Sequence, residues 1–466
     1  MRARRGIGTV SGRQAGPPGR VARAGALAAA LGAAILCAGA PAPLAAADKK
    51  PPAAPAAGPE RKTAPEPGLP EIAILGARIV PVAGEPIPEG GVLIRDGKIA
   101  ALGTQVKPGT RAIRIDGKGK YVIPGMIDAY TRLGLAEVSL VPAVVDDDEA
   151  SEPLTPQVRA IDAFNPLGRV VSFARDNGIT AALVGPRAGG EAVNVVAGQS
   201  AVVRLRGSRV DDMVLRSPAG LHATIGEGPK SRYRDRKKMP VSRMGEIALL
   251  RGALSEGKEY AEAWKRYEDK KRSKPDDAKA PDRDLRKEAL AEVASGRLPL
   301  FLHCHRADDI LTALRVVEEF KIRAVLVHAT EGYKVAEQIA RAGVPVVVGP
   351  VSTIPERMET LEVTPENPAI LARAGVRIAI ATGQNHLVSH LPYEAGLAMA
   401  YGLPEDQALR AITLGAAEIL GVADRIGSIE SGKDADLVIL DGDPLEITTR
   451  VEWVIIGGEI VYRRGA

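Results

Sequence analysis

The sequence predicts an α/β protein, a (β/α)8 TIM-like barrel carrying a small β-sandwich domain built from both chain ends. Three observations predict it. The short apolar runs "TAALVG", "LPLFLHCH", "RAVLVHAT", "VPVVVGP" and "VRIAIAT" are followed or separated by helical stretches such as "YKVAEQIARAG", the alternation expected of repeated βα units. Each run is nearly continuous in apolar residues and bounded by Gly or Pro, as strands buried on both faces are, which favours a closed parallel barrel over an open sheet. The segment after Ile72 and the last fifty residues share a different texture, short alternating strands joined by Gly turns, so the two ends are expected to form one sheet domain.

Taken in order, the chain opens on a targeting segment. Arg2, Arg4, Arg5, Arg13, Arg20 and Arg23 precede "AGALAAALGAAILCAGA", and Ala45 and Ala47 form an A-x-A site before Asp48, the layout of a secretory signal peptide over residues 1–47. The stretch lacks the ~20 strongly apolar residues of a permanent anchor, so no stable membrane span is expected after cleavage, and the protein is expected to be exported, either periplasmic or secreted. Residues 48–71 are dominated by Pro, Ala and charge and read as a disordered linker. Residues 72–122, with turns at "RDGK" and "DGKGK", supply half of the sandwich, and residues 427–466, with "DADLVILDGDP" and "VEWVIIGGEIVYRRG", supply the other half. Between them, residues 123–426 form the barrel. The charge-dense segment 254–290 interleaves Lys and Arg with acids and is expected to form solvated helices outside it.

Charge and composition exclude several functions. Six of the 62 basic residues lie in 1–47, which hold no acid, so 56 face 57 acidic residues beyond. The mature chain is near neutral and, with 3% aromatic residues, has neither the basic surface nor the rings for nucleic-acid binding. Only Cys304 remains after cleavage, so no intramolecular disulfide is possible.

In a parallel barrel, chemistry gathers at the C-terminal strand ends. "LPLFLHCHRADD" ends a strand with His303 and His305 on one side and Cys304 on the other, by the period-two alternation of strands. "RAVLVHATEG" puts His328 at the next strand end. Histidines closing consecutive strands converge on the mouth, where neutral imidazoles can share a metal such as zinc. Cys304 is expected to face the outer helices as packing.

The chain resembles the amidohydrolase superfamily, in its imidazolonepropionase-like branch, over essentially all of residues 72–463. The matching motifs are "VIPGMIDAYT", "SEPLTPQVRAIDAFNP", "VNVVAGQSAVV", "GEGPKSRYRDRKKMPVSRMG", "LPLFLHCHRADDI", "VLVHATEGYK" and "ALRAITLGAAEILGVADRIGSIESGKDADLVILDGDP". The resemblance implies a metal-dependent barrel, zinc or another divalent metal when active, that hydrolyses non-peptide C–N bonds in cyclic amides or related small molecules, or dipeptide-like substrates. It also implies that His303 and His328 are metal ligands, and it leaves Glu227 or Lys230 as a bridging ligand.

The chain departs from that pattern where the metal should sit. The family's opening motif reads Asp-Ala-His-x-His, whereas this chain reads Asp128-Ala129-Tyr130-Thr131-Arg132, and Gly383 follows Thr382 where the family has a metal-binding Asp. Two histidines alone hold a catalytic zinc poorly, since such a site needs about three protein ligands. A guanidinium ~4 Å from a dication would be repelled by roughly 8 kcal/mol at an effective dielectric of ~20. Arg132 therefore stands either in place of the metal's charge, in a pocket suited to a carboxylate, or in an ion pair with Asp128 or an acid of "VVDDDEA". The expectation is a barrel with lost or strongly altered metal catalysis, with a divalent metal or no cofactor at all, that keeps a small carboxylate-bearing ligand near Tyr130, Arg132, Glu227, Lys230, His305 and Glu331 and can assemble as a homo- or hetero-oligomer. The alternative is an active hydrolase with a rebuilt mononuclear site on His303, His328 and Glu227 or Lys230, with His386 and His390 of "GQNHLVSH" within reach of the mouth. A further alternative is a cell-envelope scaffold without a small ligand.

Overall fold

The computed structural model describes residues 68–138, 141–189 and 194–465. The expected signal peptide and nearly all of the linker lie outside the described residues. Among the described residues, no helix is long and apolar enough to cross a membrane.

The sandwich-forming strands at the front are β1 (Ile72–Ile79), β2 (Ile87–Arg95), β3 (Lys98–Gly103), β4 (Ile113–Asp116) and β5 (Tyr121–Pro124). The barrel uses β6 (Met126–Thr131), β7 (Ile179–Val184), β8 (Val196–Arg204), β9 (Val214–Thr224), β10 (Leu300–Cys304), β11 (Ala324–His328), β12 (Val346–Val348) and β13 (Ile378–Ile380). The chain returns to the first sheet with β14 (Leu437–Leu440), β15 (Val451–Ile456) and β16 (Glu459–Arg463).

The first sheet runs β16-β15-β14-β5-β1-β2-β3, with β4 alongside β1. The two chain ends meet in the antiparallel β5–β14 ladder, where Ile123 faces Val438 and Val122 faces Ile439. "RDGK" forms a two-residue hairpin with Asp96 and Gly97 at φ 49° and 76°, the doubly left-handed turn that favours Asp-Gly. The Gly457-Gly458 turn of β15–β16 abuts it, and a side chain on Gly458 would lie 2.6 Å from the Gly97 Cα. Glycine is required there by the approach of two backbones.

The second sheet runs β6 to β13 in sequence order. Seven strands point the same way and β8 does not, being antiparallel to both β7 and β9. The all-parallel expectation is corrected at this strand. Only nine residues separate β8 from β9, too few for the crossover that a parallel neighbour needs. The ring closes between β6 and β13 through short contacts: Asp128 accepts from the Thr382 hydroxyl and, at 3.2 Å, from its amide, and Gly383 N–H donates to the Tyr130 carbonyl at 3.1 Å.

Ile127, Ala129, Tyr130, Ala181, Leu183, Phe301, Val325, Val327, Val347 and Ala379 fill the barrel interior. A second cluster of β9–β12 residues, including Cys304, packs against the outer helices, where burial pushes the thiol pKa up. The 31-residue helix Arg243–Ser273 starts at Ser242, whose hydroxyl accepts the Gly245 N–H. It buries Ile247, Leu250, Leu254, Gly257 and Tyr260, leaving its second half solvated.

Candidate functional site

His303 is on the inward face of β10, two residues from Phe301, which packs inside the barrel. His328 has the wrong parity for that face. It pairs with Cys304, whose side chain points outward. Its backbone resolves the conflict: φ is 69° at His328 and 44° at Ala329, a left-handed kink that non-glycine residues seldom adopt. The kink turns the imidazole back over the mouth, where Nε2 lies 3.2 Å from His303 Nδ1.

A third histidine, absent from the sequence reading, completes a file. His222 on β9 is opposite Phe301, stacks on its ring at 5.0 Å between centroids, and places Nδ1 2.9 Å from His303 Nε2. At the far end, His328 Nδ1 is 2.8 Å from the Gly349 carbonyl. A carbonyl only accepts, so His328 Nδ1 carries the proton and its Nε2 accepts from His303 Nδ1–H. His303 Nε2 then accepts from His222 Nδ1–H. All three rings are thereby fixed in one tautomer, with the His222 Nε2 lone pair buried and unpartnered among the described residues. Burial keeps the file neutral: the pKa of His222 falls to about 3 and that of His328 to about 4, and His303 drops well below the usual histidine range. The carbonyl anchor itself requires glycine, since a side chain on Gly349 would collide with the Ala381 carbonyl.

Tyr130 lies edge-on to His303, 4.7 Å between centroids. Its hydroxyl donates to the Pro186 carbonyl at 2.8 Å and accepts the Ala188 N–H at 3.1 Å. Burial raises its pKa, so the phenol stays neutral and is committed to the loop above it. Tyr130, expected from the sequence as a ligand contact, thus spends its hydroxyl on the Pro186–Ala188 segment. Arg132 donates to Asp147 Oδ2 at 2.8 Å and to Gln384 Oε1 at 3.1 Å. Arg187 reaches the same carboxylate at 2.9 Å. The acid that Arg132 chooses comes from "VVDDDEA".

A cavity of about 260 Å3 lies above the file, and its wall includes Arg132, Arg187, Arg357, His305, His328 and Thr330. His305 stacks on His328 at 4.7 Å with the planes 10° apart. Glu227, Lys230 and Glu331, expected as ligand contacts, do not contribute to this wall. Glu331 instead accepts the Ala307 N–H at 2.9 Å and pairs with Lys334 at 3.3 Å, capping the helix Ala307–Phe320 as an anion at its positive end. The Glu227 N–H donates to Glu359 Oε2 at 2.9 Å. His303 is beneath His328, outside the wall; His386 is turned to Asn385 Oδ1 at 2.8 Å, and His390 lines a separate groove.

The 3.2 Å between His303 Nδ1 and His328 Nε2 matches the spacing of two nitrogens on one tetrahedral zinc with bonds of about 2.0–2.1 Å. The rest of the set does not fit. Among the described residues no group of three His, Cys, Asp or Glu is placed to hold a metal ion. Tyr130 is committed, Arg132 is cationic, and Gly383 offers no donor.

The structure of an amidohydrolase from Thermotoga maritima MSB8 superimposes with a TM-score of 0.77 at 36% identity, covering 84% of this chain and all of that one. This chain belongs to the amidohydrolase family. The model of that family matches residues 255–461. Amidohydrolase tasK of Hapsidospora irregularis is 27% identical over 394 residues, 79% of this chain and 39% of tasK. An imidazolonepropionase of Symbiobacterium thermophilum is 25% identical over 79% of this chain and 91% of its own. The match thus spans well under half the length of tasK. The mouth of this member of the family holds a file of three neutral histidines and two arginines on one buried carboxylate.

Proposed function

We propose that this protein is an exported amidohydrolase-family member that has lost metal-dependent hydrolysis of C–N bonds and binds a small carboxylate-bearing molecule in the cavity above the histidine file. The observation that carries this reading is the Arg132–Asp147–Arg187 cluster: two guanidiniums share one buried carboxylate at the cavity wall, with the Arg357 side chain also contributing to that wall. A carboxylate offers each of them an oriented acceptor, and arginine pairs with such groups bidentately. Two measurements test it on protein purified without a metal-affinity tag. Elemental analysis should find far less than one transition-metal equivalent, and calorimetric titration with small dicarboxylates such as glutarate should give saturable binding that Arg132→Gln weakens.

The 3.2 Å nitrogen spacing between His303 and His328 favours a second reading, an active hydrolase with a mononuclear metal completed by substrate or water. Stoichiometric zinc, with hydrolysis lost in His328→Ala, would select it.

A further inference from the structure

The left-handed φ values at His328 and Ala329 precede Thr330, which stands between the end of β11 and the short helical turn Gly332–Val335. Backbone strain of this kind persists where the surroundings impose it, and a tight strand-to-helix turn is a way of exposing a nucleophile at the mouth of a sheet. Thr330 contributes to the cavity wall, and its hydroxyl is 2.8 Å from His305 Nδ1. On the other side of the ring, His305 Nε2 is buried without a hydrogen bond, 4.0 Å from Glu359 Oε1, which is also buried without a hydrogen bond and pairs with Arg357 Nε at 3.9 Å. The other oxygen of Glu359 is held by the Glu227 N–H, and stacking on His328 fixes the His305 ring plane.

From this line of groups we infer that Thr330, His305 and Glu359 are a nucleophile, base and orienting carboxylate that hydrolyse small carboxylate-bearing esters or amides without a metal. The inference rests on the reading of the cavity as a carboxylate site. A carboxylate only accepts, so it favours the proton on Nε2 and leaves the Nδ1 lone pair to take the Thr330 proton, the division of labour of hydroxyl–imidazole–carboxylate triads. The Nε2–Oε1 gap needs to close by about 1 Å to make a hydrogen bond, within the looseness common before substrate binds. In the first half-reaction the Thr330 oxygen bonds to the substrate carbonyl carbon as its proton passes to His305. The scissile C–N or C–O bond then breaks, and His305 returns the proton to the leaving amine or alcohol. In the second half-reaction water attacks the Thr330 ester through the same base, releasing the acid and restoring the hydroxyl. The guanidiniums of the wall supply positive charge for the oxyanion and for the substrate carboxylate.

The test uses the mono-4-nitrophenyl ester of glutaric acid, followed by nitrophenolate release and by intact-protein and peptide mass spectrometry. The expected result is an acyl adduct on the Thr330 peptide, unaffected by chelators. It should be absent in Thr330→Ala, kept in Thr330→Ser, and slowed on the order of a hundredfold in His305→Gln and less in Glu359→Gln. Absence of an adduct on wild-type protein, hydrolysis that survives Thr330→Ala, or loss on chelation would overturn the triad. Calorimetry with glutarate separates the two readings. Glutarate bound equally by wild type and Thr330→Ala without acylation leaves the pocket and removes the triad. Acylation with no glutarate binding, insensitive to Arg132→Gln, leaves the triad chemistry and removes the carboxylate pocket.

Discussion

Arg132 and Arg187 meet on a single carboxylate, Asp147, whose side chain is fully buried while the two arginines reach toward the cavity. The pairing fixes a cation at the mouth and ties the segment carrying Asp147 to the end of β6. Removing one partner of a buried pair leaves the other uncompensated and costs about 3–5 kcal/mol. Asp147→Ala should therefore lower the unfolding free energy by roughly that amount in urea titration. A loss below about 1 kcal/mol, the scale of surface pairs, would show that water already compensates the arginines.

Restoring the family pattern should rebuild a metal site. The triple variant Tyr130→His, Arg132→His and Gly383→Asp supplies three donors and removes the opposing charge. Gly383 has φ 64°, which Asp tolerates better than most residues, and a Cβ there would be in van der Waals contact with Pro350 and 3.8 Å from His328 Cε1. The carboxylate would thus start beside the histidine pair. Zinc titration with a competing chelator should show stoichiometric binding in the variant and much weaker binding in wild type. Hydrolysis need not return, because the partners that orient metal ligands are a separate requirement.

His303 and His328 were legible because a strand-end histidine is visible in one dimension, as were the Asp96-Gly97 hairpin and the buried-strand composition; "DGKGK" instead joins β4 to β5, which both run parallel to β1 and form no hairpin with each other. The kink that brings His328 onto the inner face was not legible, since parity alone would have sent it outward beside Cys304. His222 stayed hidden because a lone histidine in "AGLHAT" reads as a core residue until β9 is set against Phe301. Asp147 was one of three consecutive acids, and only the fold selects among them. Glu331 shows the opposite failure: a carboxylate just after a strand end looks the same in sequence whether it meets a ligand or caps the next helix.

The histidine file predicts a tautomer. Imidazole nitrogen NMR of selectively labelled protein should find His222, His303 and His328 neutral at pH 7 with the proton on Nδ1. His222→Phe keeps the stack on Phe301 but leaves His303 Nε2 buried without a donor, a loss of about 1–3 kcal/mol. The Nε2 tautomer at His303 in wild type would contradict the direction assigned to the chain.

The contributions of Asp128 and Glu246 to stability should fall as pH rises from about 4 to about 7, opposite in sign to those of the buried neutral histidines, which grow with pH up to the ordinary histidine value near 6.5. Burial raises the pKa of Asp128 to about 7, against the usual carboxylate value near 4, and does the same to Glu246. A carboxyl whose folded pKa is raised holds its proton longer in the native state than in the unfolded one. Its contribution is complete at low pH, declines through this window, and is flat above the folded pKa. Three pH units at 1.36 kcal/mol each bound the Asp128 share at about 4 kcal/mol. Asp128→Asn mimics the protonated group: its oxygen keeps the amides of Tyr130 and Thr382 at 3.2 Å, and its NH2 faces the Thr382 hydroxyl, which can accept. Urea unfolding at pH 5, 6, 7 and 8 should therefore show the stability of wild type falling relative to Asp128→Asn as pH rises, and falling further relative to the double variant with Glu246→Gln, the histidine contributions cancelling in each difference. A difference between wild type and Asp128→Asn that stays flat or climbs with pH across this window would mean that Asp128 is ionised in the native state, held by the Thr382 hydroxyl and the two amides strongly enough to outweigh its burial.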